Sequence, residues 1–355
     1  ERWSLQVQEA IVDLASDESC GKAVRKLRRH HPGVEMERAC ALRFLHKHGG
    51  QARQFIQDKL LAAVEQAKKE GHQGDLVELE VELDGGMIPV ATLEPIETEP
   101  GQQPERTAVR GLPKKQKVCR WEETNLGLVQ VPGEVTRLYS VRPTDELDEA
   151  FEDLFALACL KGWGPTTAVR GIADEARHIR PRMADAFNGS PFRFILDRPH
   201  AKEHLSDVGE LLESAGRVES KEAWAAEAIK TIESRHARDV VAEIRTAFEE
   251  TGEDKLRKEA NYFQRNQDAM DYATYRERGW STASSEAESG HRHVVQVRLK
   301  IAGAWWHPDN VPNVLALRML KANDWWAEYW ALQRQKWRER AKQFATACTE
   351  ERAAA

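Results

Sequence analysis

Three acidic residues stand where chemistry could use them. Asp84 ends an alternating apolar and acidic segment, Asp174 follows the segment Thr167 to Ala173, and Glu288 lies in the first turn of a late helix. Carboxylates at strand ends can converge on one sheet edge and offer oxygen ligands to hard divalent cations, Mg²⁺ or Mn²⁺. Two such ions about 3.5–4 Å apart would activate a water or a 3′-hydroxyl and stabilise the leaving oxygen of a phosphodiester. Each residue also has an ordinary structural use. Asp84 suits a hairpin turn, Asp174 a helix N-cap, and Glu288 a capping box with Ser285. A competing pattern is His200-Ala-Lys-Glu203-His204, an H-x-x-E-H run on an expected helix. There the two histidines at i and i+4 would hold Zn²⁺ and Glu203 would activate water, with Glu277 or Glu286 as a third ligand. Polar helix residues contacting a sheet edge or DNA account for the same pattern.

The elements that must position these residues follow from periodicity and breakers. Helices are expected from Leu5 to about Ala15, Gly21 to His31, Glu35 to His48 after the Pro32-Gly33 break, and Gln51 to Glu70. Arg25, Lys26, Arg28, Arg29, His30 and His31 would give the second helix a basic face, either of a helix-turn-helix or of a solvated bundle. Asp75 to Asp84 alternates at period two, as a strand with one buried face does, and Asp84-Gly85-Gly86 reads as a hairpin turn into a return strand Met87 to Leu93. Glu94 to Pro113 reads as a loop. Strands are expected at Val118 to Glu123, Leu126 to Val131, Thr136 to Val141, Thr167 to Ala173 and Phe192 to Leu196. Helices are expected at Thr144 to Lys161 and Glu175 to Phe187. From Leu205 to about Arg278, and again from Ser285 onward, the pattern is helical. The order implies an α/β class: a mixed sheet with interspersed helices, interrupted by an all-helical insertion.

The chain has 355 residues, 41% hydrophobic and 31% charged, long enough for two or three domains. No apolar run approaches the ~20 residues of a membrane-spanning helix, so no membrane partner is expected. Cys20, Cys40, Cys119, Cys159 and Cys348 are scattered without a C-x-x-C pair, which argues against a zinc ribbon or disulfide framework and fits a reducing, cytoplasmic setting. The chain begins at Glu1 rather than Met, and what precedes it is left open. The formal charge of −6 argues against a histone-like coat of positive charge but leaves room for local basic surfaces. Yet from His291 to Ala355 there are 11 Lys and Arg against 6 Asp and Glu, a local +5. Arg292, Arg298 and Lys300 share the helix of Glu288, which could thus carry a metal ligand and phosphate contacts together. Six of the eleven Trp residues, Trp305, Trp306, Trp325, Trp326, Trp330 and Trp337, fall in the last 51 positions. Trp325, Trp326 and Trp330 are expected to fix the terminal helices to the core rather than to stack on bases.

Several motifs in order resemble bacterial insertion-sequence transposases of the Kra-four family. The late stretch from Thr282 to Lys300, then Gly303-Ala-Trp-Trp and Leu315-Ala-Leu-Arg318, is similar to that family's I-G-S-G-x-x-E-S, R-L-K, Gly, aromatic and A-L-R signature. Upstream, Leu83-Asp-Gly85, Arg120-Trp-Glu-Glu123, Ile172-Ala-Asp174, the I-L-D-x-x-H-x-x-E-H-L run from Ile195 to Leu205, and Tyr262-Phe-Gln-Arg-Asn266 occur in the same order. The resemblance spans nearly the whole chain. It implies an RNase H-like core with a DDE catalytic and metal-binding set, Asp84, Asp174 and Glu288, with Asp197, His200 and His204 as supporting or DNA-positioning residues. Two departures stand out: Glu175 replaces the Gly after the second Asp, and Ala283-Ser284-Ser285 replaces G-S-G.

The expected organisation is then a helical DNA-binding region over 1–73, the first part of the core over 74–204, an all-helical insertion over 205–280, and core completion with C-terminal helices over 281–355. The expected activity is Mg²⁺- or Mn²⁺-dependent cleavage of the element's ends and their joining to target DNA. The expected partners are double-stranded DNA, namely terminal inverted repeats and target, and further copies of the chain, since two ends must be joined. A domesticated, non-cutting DNA-binding regulator is the alternative, and a zinc peptidase built on His200 and His204 is a third.

Overall fold

The computed structural model describes residues 3–71, 74–96, 114–174 and 179–354. Glu175 and most of the stretch read as a loop, residues 97–113, lie outside the described residues. Helices α1 (Leu5–Asp17) and α2 (Cys20–His30) are each opened by a serine, Ser4 and Ser19, whose hydroxyl accepts a first-turn amide. Helix α3 then runs unbroken from Arg38 to Lys69. The two helices expected here, Glu35 to His48 and Gln51 to Glu70, are therefore one. Gly49 and Gly50 do not break it because Gly49 sits where a later helix crosses: a Cβ there would lie 2.6 Å from the Asn313 carbonyl oxygen.

The five-stranded sheet has the order β3-β2-β1-β4-β5. Strand β1 spans Glu78–Pro95, β2 Lys115–Gln130 and β3 Arg137–Pro143, and these three pair antiparallel. After α4 (Leu147–Leu160), β4 (Ala168–Ala173) pairs parallel to β1; after α5 (Ile179–Ala186), β5 (Phe192–Leu196) pairs parallel to β4. The hairpin expected at Asp84-Gly85-Gly86 does not form. β1 continues through it, with Gly85 opposite Asn125 and Gly86 opposite Thr124, and the two strands expected in β2 are likewise one. The glycines serve close approach instead of a turn: a Cβ on Gly85 would meet the Glu123 carboxylate and one on Gly86 the His291 ring, each at 2.6 Å.

Both faces of β1 are covered, so its alternation does not divide core from solvent. Leu79, Val81 and Leu83 are buried on one face, where α4 presses Leu154 against Gly127 of β2. Glu80 and Glu82 are buried on the other. Beyond β5 come α6 (Arg198–Ser214), α7 (Lys221–Glu233), α8 (Ala237–Thr251), α9 (Asp254–Arg265) and α10 (Tyr272–Glu277). The helix expected to carry His200 and His204 is α6, which Asp197 and Pro199 open directly from β5 and which runs on past Leu205 without a break. The chain returns through α11 (Ser285–Gly290), a π-helical stretch His291–Gln296 and α12 (Val297–Leu299), and ends in α13 (Val311–Ala322) and α14 (Trp326–Ala354).

The amino- and carboxyl-terminal helices are packed together. Buried His48 of α3 meets the Tyr329 hydroxyl at 2.9 Å and the Gln8 side chain at 3.1 Å, and its ring lies 4.6 Å from that of Trp330. Trp325 and Trp330 are buried as expected, and Trp326 is partly buried against the same core. The open edge of β3 is closed by the Asn323 side chain, which accepts from the Tyr139 amide at 2.7 Å and donates to its carbonyl at 2.9 Å, as a further strand would. Among the described residues no helix is long and apolar enough to cross a membrane.

The two adjacent glycines of α3 should respond oppositely. Gly49→Ala forces α3 and α13 apart and should cost about 1–3 kcal/mol in urea unfolding. Gly50→Ala, whose nearest neighbour atom lies at 3.9 Å, should be neutral or gain up to about 1 kcal/mol of helix propensity.

Candidate active site at the carboxyl edge of the parallel strands

Strands β1, β4 and β5 run parallel, and β4 and β5 end at one edge, which β1 crosses at Asp84; open α/β sheets place their ligands at such an edge. The register sets Glu82 beside Ile172 and Ala173 beside Leu196. Asp84 is two residues past Glu82 and Asp174 two past Ile172, so the first two predicted carboxylates stand side by side where the β1–β4 pairing stops, Asp174 just after β4 and Asp84 within β1, which runs on to Pro95. Asp197, the residue after β5, stands next to them as the N-terminal neighbour of α6.

His200, one turn into α6, draws this edge together. Its Nε2 lies 3.9 Å from the Asp84 carboxylate and 4.0 Å from that of Asp197, and its Nδ1 is 3.2 Å from Glu203. The Asp84 carboxylate above all, against the cost of burial and with Asp197, Asp174 and Glu203 adding, pushes the imidazole up to about 9, so it carries a positive charge at neutral pH. Asp197 is 3% exposed. Its Oδ2 accepts from the Ser284 hydroxyl and, at 3.3 Å, from the Ser284 amide, while its buried Oδ1 has no hydrogen-bond partner. Burial holds its carboxyl above the ordinary range.

The third predicted carboxylate is carried by α11, and two contacts on one face of β1 fix that helix. Glu82, fully buried, accepts the Ala287 amide at 2.7 Å on Oε2, and its Oε1 is unpartnered. One turn further on, His291, 1% exposed, donates from Nε2 to the Asp84 carbonyl at 2.9 Å and lies 3.9 Å from the Asp84 carboxylate. Glu288 lies on the same helix, one residue after Ala287 and three before His291, the two residues that hold that helix to β1. It is exposed and paired with Arg292, one turn along. The expected capping box does not form: Ser284 rather than Ser285 precedes the helix, and its hydroxyl is spent on Asp197.

Two expectations need correction. Arg298 cannot hold DNA. It is 3% exposed, donates to the Ala15 carbonyl at 3.1 Å and lies over the Trp306 ring, and burial pushes its guanidinium down to about 10. The inward face of the helical run claims it. The H-x-x-E-H pattern does not assemble a zinc site either. His204 turns away from His200 to meet Glu259 at 2.8 Å and stack on Tyr262 at 4.0 Å. The proposed third ligands are paired elsewhere, Glu277 with Arg235 and Glu286 with Arg137. Arg292 and Lys300 remain at the surface.

Reading the sequence missed Glu82, Ser284 and His291. Glu82 looked like a solvent-facing acid in an alternating strand, and nothing in the sequence announced that a helix would cover that face. The clue for His291 was the Gly85-Gly86 pair, which resembled a turn. The donor set fits a hard divalent cation, since carboxylate oxygens dominate and the buried Asp197 Oδ1 lacks a partner. Among the described residues no group of three or more His, Cys, Asp or Glu is already placed to hold a metal ion. No protein-family model matches the chain, and no curated protein or solved structure matches it.

Burial pushes the Glu82 carboxyl from its ordinary 4.5 up to about 8. The folded chain therefore keeps a proton that the unfolded chain gives up. Stability from this group is full below pH 4.5 and falls as pH rises through about 8, by up to about 5 kcal/mol. In urea unfolding with EDTA, Glu82→Gln should remove this part of the pH slope. Separately, the His200 imidazole should titrate near pH 9 by NMR and lower in Asp84→Asn.

Proposed function

We propose that the chain is a DNA transposase of the DDE class with an RNase H-like core, acting on the ends of an insertion sequence. The observation that carries this reading is the convergence at the carboxyl edge. Asp84 of β1 and Asp174, just after β4, stand on adjacent parallel strands where their pairing stops, and Glu82 and His291 clamp the helix of Glu288 onto the first of them. The motif resemblance asks for this placement: a mixed sheet with the first two acids on neighbouring strands and the third on a later helix laid against them.

Mg²⁺ or Mn²⁺ held by Asp84 and Asp174, with Glu288 completing the set, would supply Lewis-acid activation of a water or 3′-hydroxyl. The chain's own residues supply position and charge. The His200 imidazolium offsets Asp84 and Asp197 and keeps both carboxylates at the edge. Ser284 ties the turn before α11 to Asp197, so the loop departing from G-S-G is anchored by its own hydroxyl. Exposed Arg292 and Lys300 lie along the helix of Glu288 and suit phosphate contacts. Helix α2 exposes Lys22, Arg25, Arg28 and Arg29, a further basic surface for a duplex backbone.

The Glu288–Arg292 ion pair favours a second reading, a regulator that binds DNA without cutting it, because the third carboxylate is already neutralised. One assay separates the two. End-labelled duplexes carrying the sequences that flank the coding region are incubated with the protein and Mg²⁺. A transposase produces new 3′ ends, and Asp84→Asn or Glu288→Gln should lower their rate at least about 10²-fold while binding and the circular dichroism spectrum stay unchanged. Shifted duplexes without new ends from the wild-type chain would establish the regulator, and undiminished cleavage in both variants would sink the triad.

A further inference from the structure

Past the core sheet, β1 and β2 continue as a two-stranded ribbon. β4 pairs with β1 only as far as Glu82, and β3 with β2 only as far as Thr124, whereas Met87–Pro95 and Lys115–Glu123 stay paired with each other. On this ribbon Trp121, opposite Pro89, is 55% exposed. Trp305, 37% exposed, meets it edge to face with ring centroids 6.1 Å apart. Trp305 is held there by its neighbour. The Trp306 backbone bonds to the ribbon through the Ala91 amide at 2.7 Å and the Pro89 carbonyl at 3.1 Å, and its indole donates to the Leu299 carbonyl at 3.1 Å. A lysine stands over each exposed ring, Lys117 Nζ 5.3 Å from the Trp305 centroid and Lys300 Nζ 5.8 Å from that of Trp121.

Two indoles held in the open by a backbone bridge, with a cation on each side, match one ligand chemistry. Indole faces take up unpaired bases, and ammonium groups take the phosphates between them. Lysine is depleted from protein interfaces, so the flanking pair speaks against a protein partner. A duplex keeps its bases stacked on one another, so the ligand is an unpaired strand. Pro89 is five residues beyond Asp84 along β1, about 17 Å, roughly the span of five stacked nucleotides. We propose that Trp121 and Trp305, with Lys117 and Lys300, form a stacking site for unpaired nucleobases of the DNA strand that flanks the cleavage point. The proposal rests on the nucleic-acid reading above and adds the form of the substrate.

The test uses the full chain in EDTA and a fluorescently labelled oligodeoxythymidylate of about 20 nucleotides, with binding read by anisotropy. Trp121→Ala and Trp305→Ala should each weaken binding roughly ten-fold, Trp121→Phe should retain most of it, and a duplex of equal length should be affected less. Lys117→Gln and Lys300→Gln should each lower the slope of log affinity against log salt by about 0.7. Failure of the wild type to bind the oligonucleotide overturns the site, as does unchanged affinity in both alanine variants. An equal loss in Trp121→Phe and Trp121→Ala also overturns it. Because no metal is present, this result is independent of strand cleavage: cleavage with indifferent Trp variants removes the stacking site alone, and stacking without cleavage removes the transposase reading alone.

Discussion

The candidate site depends on one packing problem, how a helix can lie against a strand face that carries Glu80, Glu82, Asp84 and Gly86 at alternate positions. Two of these residues and one backbone carbonyl solve it. The Glu82 carboxyl group takes the Ala287 amide, the Asp84 carbonyl takes the His291 ring nitrogen, and Gly86 leaves room for that ring. Ala287 and His291 are one helical turn apart, and Glu82 and Gly86 are four strand residues apart, so the contacts fix both the height and the rotation of the helix. Everything else on that helix inherits its position from this pairing.

The same rotation sorts the later residues of the run. His291 and Arg298 are both buried, one at each end of a run whose π-helical turn shifts the register between them. Glu288 and Arg292, four apart, share an outward face and pair with each other. Lys300 comes off the end of the run and reaches the ribbon at Trp121. Four charged residues with similar sequence credentials thus have different fates: one is part of the interior, two face solvent together and one leans on an aromatic. Periodicity predicted the helix; only the partner surface decided which side was inside.

Much of the fold was legible because it rests on local signals. Strand β5 appears at its expected residues, and β3, β4, α1, α2 and α4 fall within a few residues of expectation. The mixed sheet was legible too, but Asp84 comes beside Asp174 through the register of β1 and β4, within a continuous strand rather than at a strand end. What was not legible involved glycine and acid in unusual roles. Gly49-Gly50 and Gly85-Gly86 look like breakers, but each stands inside a continuous element where another chain segment presses close. Glu80 and Glu82 look solvent-facing because acids seldom enter a core, and they are tolerated here because Gln130, Arg170 and the Ala287 amide supply partners from distant segments. Such partners lie 50 to about 200 residues away in sequence, beyond the reach of any local pattern.

Continuity of β1 links the two ends of the proposed DNA path. Had Asp84-Gly85-Gly86 been a turn, the first carboxylate would sit at a sheet corner, with its strand folded back on itself. As one strand from Glu78 to Pro95, β1 instead carries Glu82 against the helix of Glu288, Asp84 at the carboxyl edge, and Pro89 opposite the exposed Trp121. The chain's net charge of −6 is compatible with this path because the acids are concentrated. Within β1, Glu80 and Glu82 are buried, Asp84 stands at the carboxylate edge, and Glu78 and Glu94 are paired with Arg170 and Arg120, while Lys117, Arg292 and Lys300 lie at the surface along the ribbon and the helix beside it. In the proposed reading a strand of DNA drawn to those cations would meet the carboxylates around Asp84 and the indoles opposite Pro89, five residues further along β1, so a single rigid element would set the distance between the bond to be cut and the bases held aside.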